Sequence, residues 1–443
     1  MISLIMMSLS LPASQPSMPP VGMLEKCVLG LIFILTAAGA FDPIDQYLNP
    51  VYGLNTQQAL TAPPQSYGIS SNEHRLSLLV LLAYSCVYGR GLLSQICLII
   101  PPLCLLAWIF ASSLWSVDPT NSFHRCMHAA GFVFLATYLM HRFRWHELIN
   151  FMAQNFFIIF VLSVGMVIFL PQFGYSHLNG YQDAWAGAFT HKNKLGATAL
   201  FGIITAGYAL AMGYSNRSFA LVALCGQLLL LIMSRSATSM IAFGMCIVAL
   251  LVFLIVSSRR SPLVRFMAFI LLLAGTLAVG IYLLSASSLN EAVNRSATMT
   301  GRTQIWYYVL KIIAERPWTG FGYGFWGAMS PEKIKLWQAM NWPAPHAHNE
   351  WLDITLQAGL VGLVLELWCF AIASFRALRC SLHDSAGLYC GLILLALMAR
   401  GMTETVLSDP SISGWGWLVI AYLKLAQLSR EKASVPAPQP IPA

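Results

Sequence analysis

The chain has 443 residues, of which 57% are hydrophobic and only 9% charged. Water-soluble domains carry about 25% charged residues, so this composition excludes a soluble globular enzyme and implies a polytopic membrane protein. The formal net charge of +8 comes without any Lys/Arg run of the kind that contacts nucleic acid, which argues against a nucleic-acid partner.

Residues 1–20 contain Pro and Ser but no basic n-region, so a cleaved signal peptide is not expected. Beyond them, about twelve apolar segments approach or reach the roughly 17–25 residues of a bilayer-crossing helix. They lie near 22–40, 76–89, 92–114, 126–140, 148–170, 194–214, 218–233, 236–257, 266–285, 352–373, 386–400 and 411–428. The expected fold class is all-α, a polytopic membrane protein with about 12 transmembrane helices and a long extracytoplasmic loop containing an interfacial helix. The loop at 41–75 is rich in Pro, Asn, Gln and Ser and is expected to be irregular.

Orientation follows from Lys and Arg in the short loops. With both termini cytoplasmic, the inner side holds thirteen of these residues and the outer short loops six. The long loop at 286–350 adds six more, but loops of roughly 60 residues fall outside the rule. The chain reads as a single integral membrane domain over 1–443, with that loop within it and a Pro-rich tail at 431–443 expected to be disordered. None of the ten cysteines lies in the long loop and there is no CxxC, so they read as small buried apolar residues.

Polar residues with chemical potential concentrate on the outer side. Lys192, in GAFTHKNKLG, opens the sixth span together with His191 and Asn193. Arg235, in MSRSATS, falls between two apolar segments, where a charge is expensive and usually faces a cavity or a partner. Arg302, in GRTQIW, stands at the start of a helix expected from Thr303 to about Glu315. Ile305, Val309, Ile312 and Ile313 there recur at helical spacing, Thr303 is a candidate N-cap and Pro317 ends the pattern. Trp306, Tyr307 and Tyr308 favour a bilayer interface, so this helix is expected to lie on or near the outer leaflet. A helix N-terminus with an arginine beside it suits an anion, because free N–H groups and a planar fork both match phosphate oxygens.

The alternating glycines and aromatics of 320–325 fit either close backbone approach to a ligand or a tight turn toward the membrane. His346 and His348 precede the tenth span. At i, i+2 they diverge, and no Cys or close carboxylate set completes a metal site, so no metal or other cofactor is expected. A histidine there titrates near neutral pH and can act as a general base, with Asp353 placed to orient it if the helix begins near Asn349. Arg400 and Glu404 bracket another outer turn and could pair with each other.

These motifs together resemble the signature region of the O-antigen ligase and polysaccharide polymerase superfamily of bacterial membrane glycosyltransferases. The resemblance rests on GRTQIW, ERPWTGFGYGFW and HAHNEWLDITLQAGLVGLV, with SLWSVDP at 113–119, GAFTHKNKLG at 187–196 and SRSATS at 234–239 upstream. The THKN version is most similar to the exopolysaccharide polymerases. The resemblance implies a metal-independent enzyme of the bacterial inner membrane with its active site in the periplasm. It implies a glycan donor linked to undecaprenyl pyrophosphate, a glycan or lipid-glycan acceptor, surrounding membrane lipids and a polysaccharide chain-length regulator as partners. By motif, Arg235 and Arg302 bind the pyrophosphate, with Lys192 as an addition, and His348 of the HN pair is the base; His346 stands beside it as the alternative. A ligase moving finished glycan to lipid A–core or protein would use the same donor chemistry. A flippase or exporter would instead need charges and broken helices at mid-membrane, whereas here only Glu366 stands well inside a span.

Overall fold

The computed structural model describes residues 20–38, 95–176, 183–257, 302, 304–340, 343–408 and 411–434, with positions 263 and 267 isolated between them. The irregular loop at 41–75, the span near 76–89, most of the span near 266–285 and the Thr303 cap lie outside the described residues. The described elements are helices α1 (Met23–Ala38), α2 (Ile100–Ala111), α3 (Pro119–Arg142), α4 (Trp145–Phe169), α5 (Lys192–Met212), α6 (Arg217–Met233) and α7 (Ala237–Ser257). There follow α8 over 304–315, then α9 (Pro331–Met340), α10 (Glu350–Ser381), α11 (Ser385–Gly401) and α12 (Trp417–Ser434). No strand occurs among the described residues.

Five of these are long and apolar enough to cross a membrane: α2 with its flanking turns (Cys97–Leu114), α4, α5, α7 and α10. The shorter α6 and α11 are also apolar. Other expected spans are helical but more polar: α3 carries His124, Arg125 and His128, and α12 carries Lys424, Arg430 and Glu431. α12 runs on to Ser434, so it takes up the first residues of the expected tail. Cys126, Cys246, Cys369 and Cys390 are buried as expected, whereas Cys27, Cys97, Cys104 and Cys225 are exposed on helix surfaces. Apolar patterning cannot separate a protein-facing cysteine from a lipid-facing one.

α5 is the hub, packed against α4, α6, α7 and α11. Its small residues Ala197, Ala199, Ala206 and Ala209 are buried and let neighbouring backbones approach. Trp417 of α12 stacks on Phe156 of α4 at 6.1 Å and on Phe201 of α5 at 5.3 Å between ring centroids. Between α1 and α3, Arg142 makes a buried two-pronged ion pair with Glu25, at 2.7 and 2.8 Å.

The feature that positions the site is a break in α10. Asn349 caps its start by accepting a hydrogen bond from the Leu352 N–H, and Gly359 interrupts it with φ 71°. A Cβ at Gly359 would lie 2.1 Å from the Trp318 carbonyl, so only glycine fits. The backbone groups near the break find partners in the glycine-aromatic segment: Phe321 N–H donates to Leu356 O at 2.9 Å and Gly322 N–H to Gln357 O at 2.8 Å. This is how broken helices are tolerated at membrane depth. Phe321, Tyr323 and Phe325 are all buried, so of the two readings left open for 320–325 the turn is the one realised. SLWSVDP packs against the same turn, with Val117 N–H donating to Phe321 O and Trp115 Nε1 to Thr319 O.

α8 forms as its spacing requires, but its aliphatic stripe does not face lipid. Ile305, Val309, Ile312 and Ile313 close a second, smaller core with Phe321, Phe325, Trp326, Leu336 and Trp337. Tyr307, Leu310 and Trp318 remain exposed on the outside. Trp306 turns inward and donates to the Ala347 carbonyl at 3.0 Å.

Candidate active site

Three separate segments converge on one carboxylate, Glu404, in the loop after α11. Arg302 Nη2 lies 3.5 Å from Glu404 Oε1, and Asn193 Nδ2 donates to the same oxygen at 2.7 Å. His348 Nδ1 is 3.6 Å and His346 Nε2 3.9 Å from Oε2. The two imidazoles lie tilted at 52° to each other with centroids 3.9 Å apart, and His346 Nδ1 accepts the His348 backbone N–H at 3.1 Å. Burial pushes the Glu404 carboxyl up, but contact with His348 and the charges of His346, His348 and Arg302 outweigh it and hold the group down at about 2. Glu404 is therefore held as the carboxylate beside the Arg302 guanidinium.

The THKN motif contributes from the start of α5. His191 caps this helix by accepting the Asn193 N–H. Burial takes its imidazole down to about 4, against the upward pull of Glu404. It is thus neutral at pH 7. Lys192 is buried and its ammonium donates to the Arg235 carbonyl at 3.0 Å, which joins this motif to SRSATS. Arg235 itself points outward: its guanidinium is 60% exposed and lies 3.7 Å from Asp183. A second tie comes from Thr238, whose hydroxyl meets that of Thr403, next to Glu404, at 2.8 Å.

Arg235, with φ 46°, and His348, with φ 50°, are the positive-φ residues other than glycine among those described. A side chain in this region costs about 1–3 kcal/mol and persists only where its surroundings over-determine it. For His348 those surroundings are visible. Asp353 accepts from Ala347 N–H at 3.2 Å and from Trp326 Nε1. Asn349 Nδ2 donates to Met402 O at 3.3 Å. Glu350 accepts from the N–H groups of Val406, Leu407 and Ser408 and from the Ser408 hydroxyl. The first turn of α10 thus staples the histidine turn to the Glu404 loop. Asp353 acts on the backbone between the two histidines and not on an imidazole.

Of the five residues singled out in the sequence, Arg302, His346 and His348 meet around Glu404, Lys192 adjoins them through Asn193, and Arg235 joins through its backbone. Glu404 itself was missed as the hub. Its only sequence signal, a carboxylate four residues after Arg400, reads as a local helix-turn pair. A metal group also differs from expectation: His346, His348 and Glu404 each offer a ligand atom, all within 4.8 Å of one another. The carboxylate that the local sequence lacks arrives from the turn after α11. Arg302 and Asn193 already engage one of its oxygens, and the guanidinium beside it would oppose a second cation.

Chemically, this arrangement offers fixed cations and the N-terminus of α5 for an anionic ligand. It also offers the His348 imidazole, whose Nδ1 lies 3.6 Å from the Glu404 carboxylate.

A sequence profile described as O-antigen ligase matches residues 219–367, a stretch that holds Arg235, Arg302, His346 and His348 but neither Lys192 nor Glu404. The exopolysaccharide production protein ExoQ of Rhizobium meliloti (strain 1021) is 27% identical over 294 residues, covering 61% of this chain. The match spans 65% of that relative's length. Both findings agree with the motifs: the chain is similar to the O-antigen ligase and polysaccharide polymerase superfamily.

Proposed function

We propose that the protein is a membrane glycosyltransferase of the bacterial inner membrane. It moves a glycan from undecaprenyl pyrophosphate to an acceptor sugar on the periplasmic face, and so polymerises exopolysaccharide or O-antigen repeat units. The convergence of Arg302, His346, His348 and the Lys192 motif on Glu404 carries this reading, because it joins anion recognition and a basic imidazole at one end of the helix bundle.

In this reading the diphosphate of the donor docks against Arg302 and Lys192, with Arg235 reaching it from its exposed position. Its oxygens compete with Glu404 for Arg302. His348 Nε2 takes the proton of the acceptor hydroxyl, and Glu404 stabilises the imidazolium that results. The acceptor oxygen bonds to the anomeric carbon as the bond from that carbon to the phosphate oxygen breaks. Undecaprenyl pyrophosphate leaves with the bonding pair, its charge met by the arginines. Attack from the face opposite the leaving group inverts the anomeric centre. No resident metal is required, since arginine and lysine supply the positive charge.

The description of the matching profile favours a second reading, transfer of finished glycan to lipid A–core or protein. That reaction would use the same residues on the donor side. One experiment tests the shared chemistry: a strain lacking the protein is complemented with wild type or with His348→Ala, and polymer and lipid-linked intermediate are scored together. Loss of polymer with intermediate accumulating is expected. Full polymer yield from His348→Ala at equal protein level overturns the base assignment.

A further inference from the structure

The second stretch of α10, beyond the Gly359 break, ends far from the candidate active site. Arg376 follows Leu360 by sixteen residues, about 24 Å at the helical rise, most of the roughly 30 Å hydrocarbon thickness of a bilayer. Here α10 and the end of α12 border an open cavity of about 450 Å³ lined by Ala371, Ile372, Phe375, Arg376, Arg379 and Ser429.

Two guanidinium groups meet this cavity. Arg376 lies over the Tyr422 ring, 5.2 Å from its centroid, and its Nη1 is shielded from solvent with no hydrogen-bond partner among the described residues. A buried guanidinium N–H without an acceptor is costly, and such groups in proteins are normally met by a partner or a ligand. Arg379 lies over the Phe375 ring at 4.6 Å. Apart from Ser429, whose hydroxyl donates to the Leu425 carbonyl, the remaining wall is apolar, and Phe375 in it is 56% exposed and Leu378 beside it 71%. A ligand for this space therefore carries an anionic, multi-acceptor head and an apolar body.

We propose that the cavity binds the headgroup phosphate of an anionic membrane phospholipid. Arg376 and Arg379 hold the phosphate oxygens, the Arg376 guanidinium turning on binding so that its orphaned Nη1–H reaches them, and the acyl chains run along Ile372 and Phe375 onto the exposed face of α10. The two-ended character of the wall selects a lipid over free phosphate, which would find no use for the apolar side. Bound there, the lipid anchors the end of the broken helix opposite the one that His348 precedes. This site does not depend on the proposed glycosyl transfer.

The test uses full-length purified protein in neutral detergent, offered phosphatidylglycerol or phosphatidylcholine, with retained lipid counted by native mass spectrometry. Wild type is expected to retain phosphatidylglycerol in preference. Arg376→Gln should weaken that retention by about tenfold, the scale of losing one charge-assisted fork. Ile372→Trp fills the cavity while keeping both arginines, so it decides the matter if Arg376→Gln does not fold, and it should expel the lipid. Arg430→Gln, outside the cavity lining, should leave retention unchanged. Equal retention of both lipids, unchanged retention in Ile372→Trp, or displacement by millimolar inorganic phosphate would each overturn the proposal.

Discussion

His348 owes its candidacy to position. It sits 3.6 Å from a buried carboxylate, in a backbone conformation that its neighbours enforce. His346, 3.9 Å from the same carboxylate, accepts the His348 backbone N–H at its Nδ1 and reads as support. His348→Ala should lower transfer by about 10²–10⁴-fold, the usual weight of a general base, whereas His346→Ala should only weaken it. Arg302→Lys keeps the charge and loses the fork; it should reduce turnover in vesicles supplied with lipid-linked donor, as should Arg235→Lys if that side chain reaches the diphosphate. Glu404 allows a sign-definite pH test. Its folded pKa is depressed from 4.5 to about 2, so its contribution to stability is present above about 4.5 and lost as pH falls toward 2. Thermal midpoints of wild type in detergent should fall across that window, and those of Glu404→Gln should fall less. Parallel curves would mean that Glu404 carries no such coupling.

The first turn of α10 and the loop at 404–408 form one cooperative unit. Glu350 alone accepts three backbone N–H groups and a hydroxyl, and Asp353 shares the Ser408 hydroxyl while holding Ala347. Glu350→Ala leaves those donors buried and unmet, at about 1–3 kcal/mol each. A drop in thermal midpoint and in activity together is the expected outcome, while Asp353→Asn, which keeps the shape, should cost less. Gly359→Ala forces a Cβ against the Trp318 carbonyl at positive φ, so little folded protein should be recovered. α8 illustrates the opposite economy: its exposed Tyr307 should tolerate Ala with little loss of stability, because the aliphatic stripe on the other face holds the helix.

Taken across the bundle, residues from 191–193, 302, 346–348 and 404 meet at one end, and the Arg376 cavity lies toward the other. Lys/Arg bias expects the first end outside. A cytoplasmic reporter fused after Lys424 should therefore be active, and an epitope beside the exposed Lys335 should be reached by an impermeant reagent in intact spheroplasts. The reverse pair of readings would remove the periplasmic site from the proposal. Transfer by purified protein should also survive chelators, since the cations of the proposed site are side chains. Loss of activity in EDTA, restored by a divalent ion, would instead assign His346, His348 and Glu404 to a metal.

Composition and period alone determined that this chain is a helical membrane protein and placed a helix over α8 and an apolar span over α10; the grouping of Arg302, His346, His348 and Lys192 came from motif resemblance and belongs to the proposed function. Such patterns are local: hydropathy is summed over neighbours, and caps, prolines and apolar stripes act within a few residues. What the three-dimensional arrangement decided is of another kind. Glu404 lies 56 residues beyond His348 in the chain, and no local pattern links them. The aromatics of 320–325 could serve a ligand or a turn until Gly359 was seen to need that turn against its broken helix. The stripe of α8 could face lipid or protein, because both are apolar. Convergence of distant segments, and the choice between two apolar surroundings, are set by packing and not by sequence period.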